Sequence, residues 1–360
     1  MLPFFDASHE RLAADLRARV AAADWAGDDP RQAVERLRAL SVFPLLAPSP
    51  SVRSLCVARE AIAYRSPVAD AIFAVQGLAA QPLVMAGGDR LRARVDDLTS
   101  GRVVGGFALT EPEAGSDVAS MQAAATREGD AWRLTGDKTF ISNVGLAAFF
   151  VVFASADRAL GKKGLAAFLV EAGAPGLTLE PIPTIDDHPL GRLVLRGAPA
   201  QLVGEVGQGL RLALGTLDVL RTSVGAAAVG MAQRALDEAV AHVRRRRQFG
   251  KALAEFQLVQ ASLADMATEL EAARLLVARA AWAKDTGRAG KTEVAMAKMY
   301  ATEAAQRVID RALQLHGGLG VVRGTATERL YRSVRALRIY EGTTEIQKLI
   351  IGGEIVGGAR

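Results

Sequence analysis

A short apolar run, Phe107-Ala108-Leu109, leads into Thr110-Glu111-Pro112-Glu113-Ala114-Gly115-Ser116-Asp117, a turn rich in small and hydroxyl residues. Backbone N–H groups and hydroxyls exposed by such a turn can hold an anion such as a pyrophosphate. An ordinary capped turn has the same composition, and on spacing alone that reading stands first. Lys138-Thr139-Phe140-Ile141-Ser142-Asn143 puts an aromatic ring and a hydroxyl together; alone it reads as strand plus turn. Tyr340-Glu341-Gly342-Thr343-Thr344-Glu345-Ile346-Gln347 places a carboxylate in a glycine-containing loop. Glu341 is there either a catalytic base or a solvated loop residue, and alone the solvated reading is the plainer one. Metal chemistry has little to build on. Cys56 is the single cysteine, and His9, His188, His242 and His316 include no pair at i, i+4.

Elements must carry these stretches. Over residues 1–100 the chain reads as helical, with Leu12, Leu16 and Val20, and then Val34, Leu37 and Leu40, at helical spacing. Pro44, Pro48 and Pro50 interrupt it, a second helical stretch runs from Ser51 to Ala80, and a short charged helix ends near Ser100-Gly101. From Arg102 to about Val203 the texture changes to short apolar runs between turn residues. Strands are expected at Val103–Leu109, Ala131–Leu134, Phe149–Ala154, Ala166–Val170, Leu177–Ile182 and Leu193–Leu195, forming an antiparallel β domain. Hairpin turns are expected at Glu128-Gly129-Asp130 and between Gly173 and Gly176. Beyond Gly209, Phe256, Val259, Leu263, Met266, Leu270, Ala273 and Val277 mark one face of a long helix, and Thr292–Leu315 and Thr343–Val356 read likewise. The expected fold is mostly α with a central antiparallel β domain, divided as 1–100, 101–204 and 205–360.

Composition agrees with a folded chain. Of 360 residues, 50% are hydrophobic and 23% charged, which excludes disorder and supports a sizeable core. Lys and Arg exceed Asp and Glu by 44 − 39 = 5, too mild an excess to argue for nucleic acid. Arg244 to Arg247 are consecutive, and on a helix four neighbours point in nearly all directions, so no basic stripe is expected. Asp6, Glu10, Arg11 and Asp15 rule against a secretory signal, and the most apolar stretch, Ala147 to Ala154, is too short for a bilayer. The expectation is a cytoplasmic protein with no membrane, nucleic-acid or metal partner.

Taken together and in this order, the three stretches resemble the acyl-CoA dehydrogenase family of flavoproteins. Arg246-Arg247-Gln248-Phe249-Gly250-Lys251 is similar to the family's Arg-x-x-Phe-Gly-Lys signature, and Gln314-Leu315-His316-Gly317-Gly318-Leu319-Gly320 to its Gln-x-x-Gly-Gly-x-Gly segment. The resemblance spans about residue 10 to residue 356. It implies an N-terminal helical domain, a central β domain and a C-terminal four-helix bundle. It implies FAD held by Leu109, Thr110, Gly115 and Ser116, with Phe140 on the flavin ring and Ser142 near its N5, where the family often has Trp and Thr. It brings Arg246 to the FAD pyrophosphate and Gln248, Phe249, Gln314 and Gly318 to the adenosine side, with several of these, Arg246, Gln314 and Gly318 among them, serving a neighbouring subunit's FAD, and Thr343 and Glu345 to the flavin side. A homotetramer follows from that sharing.

The reaction implied is α,β-dehydrogenation of an acyl-CoA to the trans-2-enoyl-CoA, with electrons passing to an electron-transfer flavoprotein. Glu341 stands at the family's base position, and Leu220 occupies the alternative one. Arg221 would support the catalytic loop and Asp218 would contact the pantetheine; Ser116, Tyr340 and Gly342 would also face substrate. Asp186 to Arg192 is shorter than the family's usual CoA-covering segment. Alternatives are a member acting on a protein-carried acyl group, an oxidase (though known acyl-CoA oxidases are usually much longer), and an FAD-retaining DNA-binding or scaffold relative, which would not need Glu341.

Overall fold

The computed structural model describes residues 3–25, 27, 29–129, 131–288 and 290–357. Helices α1 (Ala7–Ala22), α2 (Pro30–Ala39), α3 (Val52–Arg65), α4 (Pro67–Ala86) and α5 (Asp89–Thr99) come first. Strands β1 (Gly105–Ala108), β2 (Ala124–Glu128), β3 (Ala131–Ser142), β4 (Phe149–Ser155), β5 (Leu165–Glu171), β6 (Leu177–Pro181) and β7 (Leu190–Val203) follow. The rest is α6 (Gly209–Arg245), β8 (Arg247–Gln248), β9 (Lys251–Ala252), α7 (Gln257–Asp285), α8 (Lys291–Leu315), α9 (Ala326–Leu337) and α10 (Thr344–Ile355). The helix starts follow capping chemistry: Asp6, Asp29, Ser51, Thr325 and Thr343 each accept a backbone N–H of the first turn. Two compact units result. One gathers Met1–Ala26, Ser51–Asp70 and Arg221–Arg360; the other holds Gly27–Pro50 and Ala71–Leu220.

The second unit is built on a seven-stranded sheet ordered β1-β4-β2-β3-β7-β5, with β6 on β7 and a further β4–β5 pairing that closes β4, β2, β3, β7 and β5 into a ring. All seven residues of β4 are buried, because the strand is covered on both faces. Phe149, Val151 and Phe153 pack with Ala79, Leu83 and Leu98 of α4 and α5, whereas Phe150, Val152 and Ala154 pack with Leu134, Phe168, Leu193 and Leu195. Gln76 of α4 fastens helix to sheet. Its Nε2 donates to the Leu98 and Val103 carbonyls, and its Oε1 accepts from Gly105 N at 3.0 Å.

The first unit is a helical bundle. Val224 to Val229 on α6, Met266 to Ala281 on α7 and Ala297 to Ala312 on α8 supply most of its core. Small residues let the helices meet closely: a Cβ on Gly230 would stand 2.2 Å from the Glu60 carbonyl of α3.

Four expectations are corrected. The sheet is mixed, since β1 and β2 pair with β4 in parallel; the remaining ladders are antiparallel. The Gly173–Gly176 turn joins β5 to β6, which pair with β7 and not with each other, so it is no hairpin. The Glu128-Gly129-Asp130 turn does join the antiparallel pair β2–β3, although Asp130 lies outside the described residues. The four arginines do not share a helix: α6 stops at Arg245 and Arg247 opens β8. By length and composition α4 and α6 could each cross a membrane, which the Ala147–Ala154 reading overlooked; 78% and 67% of their apolar windows are buried inside the protein.

Candidate active site

In the sheet unit a buried ion pair laces the first two stretches together. Lys138 on β3 has no exposed surface; its Nζ donates to the Leu109 carbonyl at 3.0 Å and to Glu111 Oε1 at 2.8 Å. Glu111 also accepts from the backbone N–H groups of Gln122 and Ala123, and Thr139 N donates to the Thr110 carbonyl at 3.0 Å. Burial pushes the Lys138 ammonium down to about 8, against the pull of Glu111. The register of β3 on β7 slips between Lys138 and Ile141. Phe140 takes φ +55° in that irregularity and leaves its ring 62% exposed. Leu109 is buried, Thr110 and Ser142 are half-buried, and Gly115 and Ser116 are exposed. A Cβ on Gly115 would meet nothing within 4 Å. An outward phenyl ring and an open turn of hydroxyls and N–H groups, held by one buried clamp, fit a planar ring with an anionic tail.

The bundle unit assembles a second group around the loop before α10. Glu341 takes φ +54° and Gly342 φ +94°. A left-handed conformation is natural for glycine and uncommon for glutamate, so Glu341 must be held there. Arg221 Nε on α6 donates to the Glu341 carbonyl at 2.9 Å. Lys298 Nζ on α8 and Gln347 Nε2 on α10 donate to the Gly342 carbonyl at 2.8 and 2.9 Å. Thr343 caps α10 through Ile346 N. Glu341 is half-buried, with its Oε2 enclosed and without a hydrogen-bond partner. Burial raises its pKa, against the guanidinium of Arg59, the guanidinium of Arg221 and the ammonium of Lys298. Burial likewise raises Tyr340. Glu345 is exposed and held low by hydrogen bonds to its own backbone N–H and from Thr343.

Arg59 and Asp70 were not among the residues singled out from sequence. They form a bidentate pair, Nε–Oδ1 2.9 Å and Nη2–Oδ2 2.8 Å, with Arg59 Nη1 also on Ser223 Oγ at 3.1 Å; both side chains are 1% exposed. Lys298, wholly buried, was missed too. A signal existed for two of them: Asp70 and Lys298 are lone charges in apolar stretches, Val68-Ala69-Asp70-Ala71-Ile72 and Ala295-Met296-Ala297-Lys298-Met299.

The remaining residues lie at the far end of the same bundle. β8 and β9 form a small hairpin after α6, with Arg246 and Gln248 exposed and Phe249 at its tip, 92% exposed at φ +51°. Gln314 and Gly318 are exposed at the end of α8 and just after it. His242 and His316 stack at 4.4 Å between ring centres, which brings these two ends together. From Arg221 to Arg245 the helix advances about 36 Å at ~1.5 Å per residue. In one protomer, therefore, this cluster is far from Glu341. Asp218 is half-buried and Leu220 buried on the first part of α6.

The sequence and the fold are both similar to those of known proteins. The sequence matches the family model for the acyl-CoA dehydrogenase middle domain over residues 106–198 and that for the C-terminal domain over 207–356. It is 44% identical over 278 residues to the human mitochondrial short-chain specific acyl-CoA dehydrogenase, covering 76% of this chain and 68% of the relative. It is 33% identical over 348 residues to the caffeyl-CoA reductase–Etf complex subunit CarC of Acetobacterium woodii, covering 92% and 91%. The structure is similar to butyryl-CoA dehydrogenase from Megasphaera elsdenii, with a TM-score of 0.90, 30% identity and coverage of 98% and 99%. It is also similar to a glutaryl-CoA dehydrogenase from Mycobacterium smegmatis in complex with FADH2, with a TM-score of 0.91, 26% identity and coverage of 99% and 96%.

Proposed function

Because the chain belongs to the acyl-CoA dehydrogenase family of FAD-dependent oxidoreductases, we propose that it oxidises an acyl-CoA thioester to the trans-2-enoyl-CoA with Glu341 as the base. The observation that carries this reading is the Glu341 carboxyl itself: its Oε2 is enclosed and unpartnered, and its loop is fixed by donors to its own carbonyl and the next. A carboxylate left without hydrogen bonds in a buried site is costly unless a ligand uses it. Leu220, buried and apolar, offers no second base at the family's alternative position.

The α-proton of a thioester is a weak acid, so the site has to stabilise the enolate oxygen. In this reading the backbone N–H of Glu341 is one donor, and an oxyanion donor contributes ~2.7–4 kcal/mol. The raised Glu341 pKa brings the base nearer to its task. Bound FAD supplies the hydride acceptor. Leu109, Thr110, Gly115 and Ser116 would hold it, Phe140 would cover its ring and Ser142 would reach its edge, with Thr343 and Glu345 on the bundle side. Ser116, Asp218, Tyr340 and Gly342 would line the thioester and pantetheine. Arg221 would hold the loop.

Arg246, Gln248, Phe249, Gln314 and Gly318 complete a neighbour's FAD site in this reading. The separation along α6 supports it, being longer than one dinucleotide cofactor can bridge, and so does the bare Phe249 ring. The assembly proposed is a homotetramer, the acceptor a soluble electron-transfer flavoprotein, the location cytoplasmic, and the domains 1–100, 101–204 and 205–360. The name of the Acetobacterium woodii relative favours a second reading, the same chemistry run as reduction of an enoyl-CoA.

The test is anaerobic titration of the FAD-loaded protein with a panel of acyl-CoAs, followed by flavin absorbance. Bleaching by at least one saturated acyl-CoA is expected. If no saturated acyl-CoA bleaches the flavin while an enoyl-CoA reoxidises the chemically reduced protein, the reductive reading replaces this one.

A further inference from the structure

Two donors meet the Gly342 carbonyl, Gln347 Nε2 and Lys298 Nζ. Gln347 could fix that carbonyl with a neutral amide, so the second donor reinforces the staple and brings something further. Lys298 is moreover a costly choice, since it has no exposed surface and a buried ammonium has to be offset. What it brings that Gln347 does not is a charge, held on the carbonyl of the residue next to Glu341 and interacting with the Glu341 carboxyl.

We propose that Lys298 is a positioning residue for the dehydrogenation: its buried ammonium holds the Glu341–Gly342 segment in its left-handed conformation, and its positive charge favours the carboxylate form of Glu341 before proton abstraction. This rests on Glu341 being the base. Groups from every neighbouring element bear on the pair: Arg221 of α6, Glu303 of α8, Glu345 of α10, Arg59 of α3, Asp70 of α4 and Tyr340 of the loop. Burial lowers Lys298 to about 8, against the Glu341 carboxylate, which is its strongest favourable partner. The ammonium is therefore charged below that pH and neutral above it. Its help to Glu341 is present at neutral pH and fades as pH rises through about 8.

The experiment is anaerobic stopped-flow flavin reduction across pH, on FAD-loaded wild type, Lys298→Gln and Lys298→Arg. The acyl-CoA is one for which Glu341→Gln is already inactive. An active Glu341→Gln enzyme would overturn the base assignment itself, a separate outcome. Lys298→Gln keeps an N–H donor and loses the charge, so its acid limb is expected to move to higher pH by about one unit, making it roughly tenfold slower on that side. Lys298→Arg is expected to keep the wild-type acid limb. A Lys298→Gln enzyme that retains FAD and shows an unshifted acid limb overturns the proposal. If neither variant folds, Gln347→Ala decides: it removes the neutral donor and leaves the charge, so its acid limb is expected to stay at the wild-type pH, and a limb moved up by about a unit overturns the proposal.

Discussion

Arg59 and Asp70 bury a complete ion pair beside the loop that carries Glu341. Removing one partner would leave the other charged and desolvated. Asp70→Asn is therefore expected to lower the unfolding free energy by about 3–5 kcal/mol, read from urea denaturation. Wild-type stability in that variant would contradict the account. At the same scale, a base whose pKa is raised ionises later as pH increases. Flavin reduction is thus expected to fail, as pH drops, above the ordinary glutamate value of 4.5 rather than at it. A pH profile whose acid limb lies at or below the ordinary value would contradict this. The sequence made Tyr340, Glu341 and Arg221 visible because they sit in or next to recognisable motifs. It hid Arg59, Asp70 and Lys298, whose meaning comes from which face of a helix is covered, and that is settled by distant segments.

The hairpin β8–β9 makes sense as an element only if something covers it, because Phe249 stands almost bare at its tip. Arg246→Ala is expected to weaken FAD retention, measured as flavin left after gel filtration. Full retention would show that the hairpin does not touch the cofactor. Most elements could be read from periodicity, and α1, α7, α8, β4 and β5 begin within a few residues of where apolar spacing puts them. Two were missed. β2 buries one of its five residues and carries Arg127 and Glu128, so it lacks the apolar run of its neighbours. α9 shows Leu330, Val334 and Leu337 at helical spacing, but seven charged or hydroxyl side chains among its twelve residues mask the stripe. The parallel β1–β4 ladder was illegible for another reason: its partners lie over forty residues apart, and no turn between them announces the pairing.

For the molecule as a whole, the distance along α6 between the Glu341 loop and the Arg246 hairpin makes a prediction about assembly. Light scattering should find a stable homo-oligomer, with a tetramer expected; a monomer with full flavin occupancy would contradict it. Electrons are expected to leave to an electron-transfer flavoprotein, so turnover with an artificial acceptor should greatly exceed peroxide formation in air. Stoichiometric peroxide would make the protein an oxidase. The central claim remains that Glu341 takes the α-proton, and Glu341→Gln tests it most directly, because the amide keeps the size and loses the basicity. The variant should fold, hold FAD and bind acyl-CoA, yet reduce flavin at least ~10²-fold more slowly. Glu345→Gln, altered at an exposed carboxylate on the same helix start, should keep most of its rate at saturating FAD. Flavin reduction by Glu341→Gln at a near wild-type rate would place the base elsewhere and contradict the account.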